Sequence, residues 1–212
     1  MNEQNTSDTT PRLQANAGRR RFLGKGALVA PAVLTLASQP ALGVTCFTPS
    51  RSLSKNTSAS QVGKTGECLN AESPGNYKTQ STAGTAPYNW PISPSTPFHS
   101  NVTKRIDGVN VVGIFSGSKY GNLSLLKVLN QVGTTSFPFP GDPQNVAFHL
   151  IGAYLNKLGG NGAVIPDNVM TLQGIKDIWT AWNTNGQYEV SAGIYWNGTQ
   201  LVQYLTSNGL VK

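Results

Sequence analysis

The stretch Asp142-Pro143-Gln144-Asn145-Val146-Ala147-Phe148-His149-Leu150-Ile151-Gly152-Ala153-Tyr154-Leu155-Asn156-Lys157-Leu158-Gly159-Gly160 decides the fold. Asp142 offers a side-chain acceptor to the free N–H groups of a helix start, Pro143 suits a first turn, and two glycines end it. Between them Val146, Phe148, Leu150, Ile151, Tyr154, Leu155 and Leu158 recur at helical spacing and make a broad apolar face. A helix with such a face is expected at the centre of the molecule.

Its neighbours read the same way. Leu125, Leu126 and Leu129 share a face between Asn122 and Gln131, before Gly133. Thr171 opens a third helix carrying Leu172, Ile175, Ile178, Trp179 and Trp182, stopped by Asn185-Gly186. Thr199 opens a fourth with Leu201, Val202, Tyr204 and Leu205 facing inward before Asn208-Gly209. Toward the N-terminus the periodicity fails. Ser73-Pro74-Gly75, Ala86-Pro87, Trp90-Pro91, Ser93-Pro94 and Thr96-Pro97 interrupt any long helix or central strand. Ile106 to Phe115, with Val109, Val111, Val112 and Ile114, has the content of one short strand or a buried extended segment. The expectation is a mainly α fold, a small bundle of about four short helices over residues 119–212. A Pro/Gly-rich, loop-rich wrap with little strand is expected over 44–118, the two making one structural domain over 44–212.

Residues 1–43 read as a leader. Gly18-Arg19-Arg20-Arg21-Phe22-Leu23-Gly24-Lys25 resembles a twin-arginine signal, with Arg19, Arg20, Phe22 and Leu23 as its motif. The apolar run Ala27–Ala37 is too short for a membrane span, which needs about 20 apolar residues. Ala41-Leu42-Gly43 supplies small residues for cleavage before Val44. The residue before Cys46 is Thr45, unlike the Gly or Ala of a lipoprotein site. The expected partners are therefore the twin-arginine export machinery and signal peptidase, and the expected location is the periplasm, cell surface or extracellular space.

The leader also explains much of the charge. Of 16 basic and nine acidic residues, five and two lie in residues 1–43, leaving 11 and seven, a net of +4 instead of +7. Those 11 are scattered, with only Lys104-Arg105 adjacent, whereas nucleic-acid binding needs a clustered patch. Charged residues are 12% of the chain, about half the usual share. No nucleic-acid partner and no integral membrane span are expected.

Cys46 and Cys68 are the two cysteines, and in an oxidising compartment such a pair reads as a disulfide stapling a Ser/Thr/Lys-rich arm, Val44 to Val62. The alternative, a metal or redox site, lacks both CxxC and zinc-finger spacing.

Several short motifs resemble a family of exported bacterial proteins that has a cysteine followed by Ser/Thr-Pro-Gly-Tyr-Trp-Lys and Trp-Pro. Here they are Ser73-Pro74-Gly75-Asn76-Tyr77-Lys78, Trp90-Pro91, Leu125-Leu126-Lys127-Val128-Leu129-Asn130 and His149 to Leu155-Asn156. Asn76-Tyr77 stands where the family has Tyr-Trp, and Cys68 lies further from the Ser-Pro-Gly. The resemblance implies an extracellular or envelope protein and supplies no mechanism.

Catalytic sets are thin. Gly63-Lys64-Thr65 has Ser58 where a phosphate loop needs glycine, and Ser116-Gly117-Ser118 is no nucleophile elbow. His149 has no carboxylate or second imidazole on its own helix, which points to a core histidine bonded to backbone. His99 follows Pro97-Phe98 and carries little information. Among the acids, Asp142 and Asp167 fit helix starts, leaving Glu72, Asp107 and Glu189 unassigned. No catalytic residue, metal ligand or cofactor is expected. Tyr77, Tyr88, Trp90 and Trp196 are the candidate binding aromatics, able in principle to stack on sugar rings. The expected function is a non-enzymatic envelope or extracellular role, structural, adhesive or self-associating with its own copies or other surface proteins. A carbohydrate-binding module and a small secreted hydrolase are the alternatives.

Overall fold

The central stretch forms a helix over Val146–Lys157, with Val146, Ala147, Leu150, Ile151, Ala153, Tyr154 and Leu155 buried. In this computed structural model the described residues are 44–54, 65–80, 90–131 and 141–212. The leader with Arg19, Arg20, Phe22 and Leu23, part of the arm, and Tyr88 lie outside them. In chain order the elements are β1 (Val44–Phe47), α1 (Pro49–Ser54), β2 (Thr65–Cys68), α2 (Pro74–Gln80), β3 (Thr103–Ile106), β4 (Val109–Val112), α3 (Leu125–Gln131), α4 (Val146–Lys157), α5 (Leu172–Asn185), β5 (Gln187–Ser191), β6 (Ile194–Asn197) and α6 (Gly198–Ser207).

The mainly α expectation is overturned. The described residues hold six helices and six strands, the strands paired β1–β2, β3–β4 and β5–β6 in three antiparallel two-stranded sheets. Each strand is only four or five residues long, too short for alternation to stand out from a loop. Ile106–Phe115 is not one strand. Asp107 and Gly108, at φ 50° and 83°, turn the chain back so that Ile106 faces Val109 and Thr103 faces Val112. Positive φ at both central residues makes this the two-residue turn whose twist suits a hairpin. A second hairpin, β5–β6, follows the helix stop at Gly186, where Gly193 takes φ 74°.

Helix starts differ in detail from expectation. Thr171 caps α5 by accepting from the Gly174 N–H at 2.9 Å. The cap of α6 is Asn197, not Thr199, and Asn197 and Gln200 exchange side-chain bonds to each other's N–H. Asp142 serves α4 from three residues before its N-cap. Its carboxylate accepts from the N–H of Val146 and of Ala147 at 2.8 and 2.9 Å, while Asn145 turns through φ 60° between them.

α4 is the hub. Gly152 lets it close on α2, for a Cβ there would stand 2.5 Å from Pro74 Cγ and 3.1 Å from Val211 Cγ1. Asn156, fully buried, makes four hydrogen bonds. Its Oδ1 accepts from the Tyr77 hydroxyl (2.8 Å) and the Glu72 N–H (3.1 Å), and its Nδ2 donates to the carbonyls of Glu72 and Leu210 (both 2.9 Å). An amide side chain so occupied joins α2, α4 and the C-terminal residues at no desolvation loss. On the other side Trp179 of α5 meets Phe98 edge-on at 5.0 Å, and its Nε1–H donates to the Ser116 carbonyl at 2.7 Å. Trp179 and Trp182 thus belong to the core, 0% and 4% exposed.

Cys46 and Cys68 form the expected disulfide, Cα atoms 5.8 Å apart, tying β1 to β2 across 22 residues. Both are buried, and the Tyr204 hydroxyl of α6 donates to the Phe47 carbonyl at 2.8 Å. The stapled strands are thereby fixed to the C-terminal helix. No helix among the described residues is long and apolar enough to cross a membrane.

Candidate functional site

Besides the Asn156–Tyr77 pair, buried polar side chains gather around Asp142. The Tyr120 hydroxyl donates to its Oδ2 at 2.6 Å, and the Tyr120 N–H donates to His99 Nε2 at 2.9 Å. His99 Nδ1 faces the carbonyls of Ser116 and Phe115 at 3.1 and 3.3 Å, the geometry of an N–H donated to backbone. Burial holds the His99 imidazole below its ordinary range, against the two carbonyls that favour the cation. Burial and the neighbouring Asp142 charge push the Tyr120 phenol up, so it stays protonated and keeps donating. An acid/base residue needs a free lone pair or proton to offer a substrate. Both nitrogens of His99 and both oxygens of Asp142 are already engaged, which makes this cluster scaffold: it locks the 96–124 segment to the start of α4.

Lys119 lies beside it. Its Nζ donates to the Gly141 carbonyl at 2.7 Å and stands 4.4 Å from the Trp182 ring centroid, a cation–π contact. Partial burial lowers its pKa and the Asp142 charge raises it.

The bonded, buried role expected of His149 falls instead to His99, for which no role was expected. His99 is the fully buried, fully bonded one. His149 is half-buried, its ring edge-on to Phe148 at 5.4 Å, and its buried Nδ1 has no hydrogen-bond partner, nor does Asn145 Oδ1 one turn earlier. Burial lowers the His149 pKa, opposed by the charge of Asp142. The unassigned acids do not join them. Glu72 accepts from Asn76 Nδ2 at 2.6 Å, Asp107 makes the β3–β4 turn, and Glu189 accepts from the Gly193 N–H at 3.0 Å in the β5–β6 turn. Asp167 does not start α5 but pairs with Lys157 at 2.6 Å. Among the described residues no group of three or more His, Cys, Asp or Glu is placed to hold a metal ion.

Of the candidate aromatics, Tyr77 and Trp196 make no sugar platform. Tyr77 is fully buried, with Trp90 edge-on at 5.8 Å and the Trp90 Nε1–H donated to the Tyr77 carbonyl at 3.2 Å. Trp196 is 7% exposed and packed on Tyr204 at 5.1 Å. Stacking needs an open ring face, which these rings spend on the core. The residues carrying the family resemblance in fact converge here: Pro74 on Gly152, Tyr77 on Asn156, Trp90 on Tyr77. Their role in this chain is the packing of α2 on α4.

The chain matches no family model, no curated protein and no solved structure. Function must therefore be argued from the surface this fold presents.

Two hairpins present apolar side chains to solvent. Val109 and Val112 of β4 are 63% and 55% exposed, and Ile194 and Tyr195 of β6 are 47% and 48% exposed. The second hairpin has one face covered, since Val190 and Trp196 are buried in it. The first has none: no residue of β3 or β4 is buried, and only Ile106 and Val111 are half-buried. Its root is rigid. Gly113 sits where a Cβ would lie 2.0 Å from the His99 carbonyl oxygen and 2.8 Å from that of Pro97, so only glycine fits. The buried Phe98, Phe115 and His99 thus hold out an uncovered hairpin that bears Lys104 and Arg105 on one strand and Val109-Asn110-Val111-Val112 on the other. The sequence signal for it was Asp107-Gly108 between two β-branched runs.

Proposed function

We propose that this is an exported, non-enzymatic protein of the cell envelope or extracellular matrix that works by association with its own copies or with other surface proteins. The observation that carries the reading is the β3–β4 hairpin, which has no buried residue, exposes Val109 and Val112 and is held by a rigid root. Isolated two-stranded hairpins are marginal in water, and exposed strand edges are templates for another chain. Export rests on the leader and its twin-arginine motif, with export machinery and signal peptidase as partners. The disulfide Cys46–Cys68 is consistent with an oxidising compartment. The resemblance to exported proteins points the same way.

The test has two arms. Arg19→Lys, Arg20→Lys and Arg21→Lys together should leave the protein in the cytoplasm, and normal export of that variant would refute a twin-arginine route. Protein recovered from the exported fraction should sediment as larger species as its concentration rises, with oligomers or filaments seen by electron microscopy. A single monomeric species throughout would remove self-association.

A further inference from the structure

The hairpin's two edges are not equivalent, and the difference selects one of them. The Gly113 N–H donates to the Val102 carbonyl, and the turn closes with Ile106 opposite Val109. Antiparallel pairs alternate between bonded and non-bonded, so the pairs 102:113, 104:111 and 106:109 turn their backbone groups toward each other. Asn110 and Val112 then direct their N–H and C=O outward from β4, and Thr103 and Arg105 do so from β3. Among the described residues no third strand pairs with either.

Charge separates the two edges. An antiparallel two-fold pairing of β3 about Lys104, the register that its outward Thr103 and Arg105 allow, sets Lys104 opposite Lys104 of the other copy, and like charges opposite one another are repelled. Lysine on an edge is also the usual guard against pairing. β4 carries no charge at all. It has β-branched residues at three of four positions, and the backbone groups of Asn110 and Val112 are spaced to bond to each other about a two-fold axis.

We propose that β4 pairs antiparallel with β4 of a second copy about a two-fold axis at Val111, joining two marginal hairpins into one four-stranded sheet; this rests on the self-association reading above. In that register Asn110 lies opposite Val112 of the other copy and Val112 opposite its Asn110, each pair exchanging two backbone bonds. Val111 meets Val111 at a non-bonded position, where side chains come closest. Ile106, Val109 and Val111 share one face, so pairing makes their six side chains one continuous apolar stripe. The net charge of +4 over residues 44–212 is small enough for two copies to approach at physiological salt, where the screening length is about 8 Å. A two-fold interface closes on itself and yields a dimer, not a fibre, leaving β5–β6 with exposed Ile194 and Tyr195 free for further contacts.

The experiment uses protein recovered from the exported fraction, in which Cys46 and Cys68 are paired. Val111→Cys places single thiols face to face on the axis and should give a disulfide-linked dimer under mild oxidation. Lys104→Cys lies on the outer strand, about three strand spacings or 14 Å from its counterpart, and should not. Asn110→Lys with Val112→Lys changes two exposed side chains and sets lysines opposite each other in both pairs. It should raise the dimer dissociation constant about tenfold or more while far-ultraviolet circular dichroism shows the fold of the monomer intact. Self-association that persists in the double variant, with no cross-link at position 111, would overturn the β4 edge while leaving association through another surface. A native protein that stays monomeric at every concentration would overturn both.

Discussion

Asp142, His99 and His149 show how much a residue's part depends on what surrounds it. Asp142 does cap α4, as its place before an apolar run implies, but it also accepts from Tyr120, 22 residues earlier in the chain. His99 and His149 both have pKa values lowered by burial from an ordinary 6.5. The unfolded chain therefore binds more protons than the folded one between the folded values and 6.5. Stability contributed by keeping these rings neutral is fully present above that pH and is lost as pH falls through it. Urea unfolding should thus give a lower midpoint at about pH 5.5 than at about pH 7.5. His99→Gln with His149→Gln should lower stability at the higher pH and flatten the difference. A pH dependence unaltered in that double variant would show that other groups cause it.

Among the elements, the β3–β4 hairpin depends on its two glycines for different reasons. Gly108 has φ +83° with open space around it, so Gly108→Ala adds backbone strain alone, about 1 kcal/mol. Gly113 has a carbonyl oxygen in the way, and Gly113→Ala must shift the His99 backbone and with it the bond to Tyr120. We expect a loss of about 3 kcal/mol by denaturant titration, the upper range for overpacking a rigid site. Equal costs at the two positions would mean that the root of the hairpin yields, and the rigid presentation argued for it would fall. The sequence reads as one strand through the Asp107-Gly108 turn, because four-residue strands carry too little alternation to be told from a loop. Helical periods over 12 and 14 residues, as in α4 and α5, are far harder to miss.

For the molecule as a whole, the disulfide holds β1 and α1 to a core built mainly from residues after position 90. Closing 22 residues of chain restricts the unfolded state by about 3 kcal/mol in the chain-entropy model. Cys46→Ser with Cys68→Ser should lower the unfolding free energy by about that amount. It should also loosen β1–β2, with its amides exchanging faster while those of α4 hold. Without reductant, the intact protein should weigh two protons less than its reduced form. Free thiols on both cysteines would remove the staple.

Local chemistry in the chain was enough to determine several things. Apolar spacing over a dozen residues settles where α4 and α5 run, Thr171 marks a helix start because its hydroxyl reaches an N–H three residues on, and the chain's two cysteines pair with each other. Each of these depends on residues near one another in sequence, or on there being a single partner to choose. Only the tertiary structure decided the rest. It made Tyr77 and Trp196 core residues instead of binding residues, packed the half-buried Trp90 against Tyr77, made His99 rather than His149 the satisfied buried imidazole, and turned Asn156 into a four-bond junction. It also left one hairpin with no buried residue. Burial and hydrogen-bond satisfaction are set by what packs from elsewhere in the chain, here from 80 or so residues away at Asn156, and no local pattern encodes that distance.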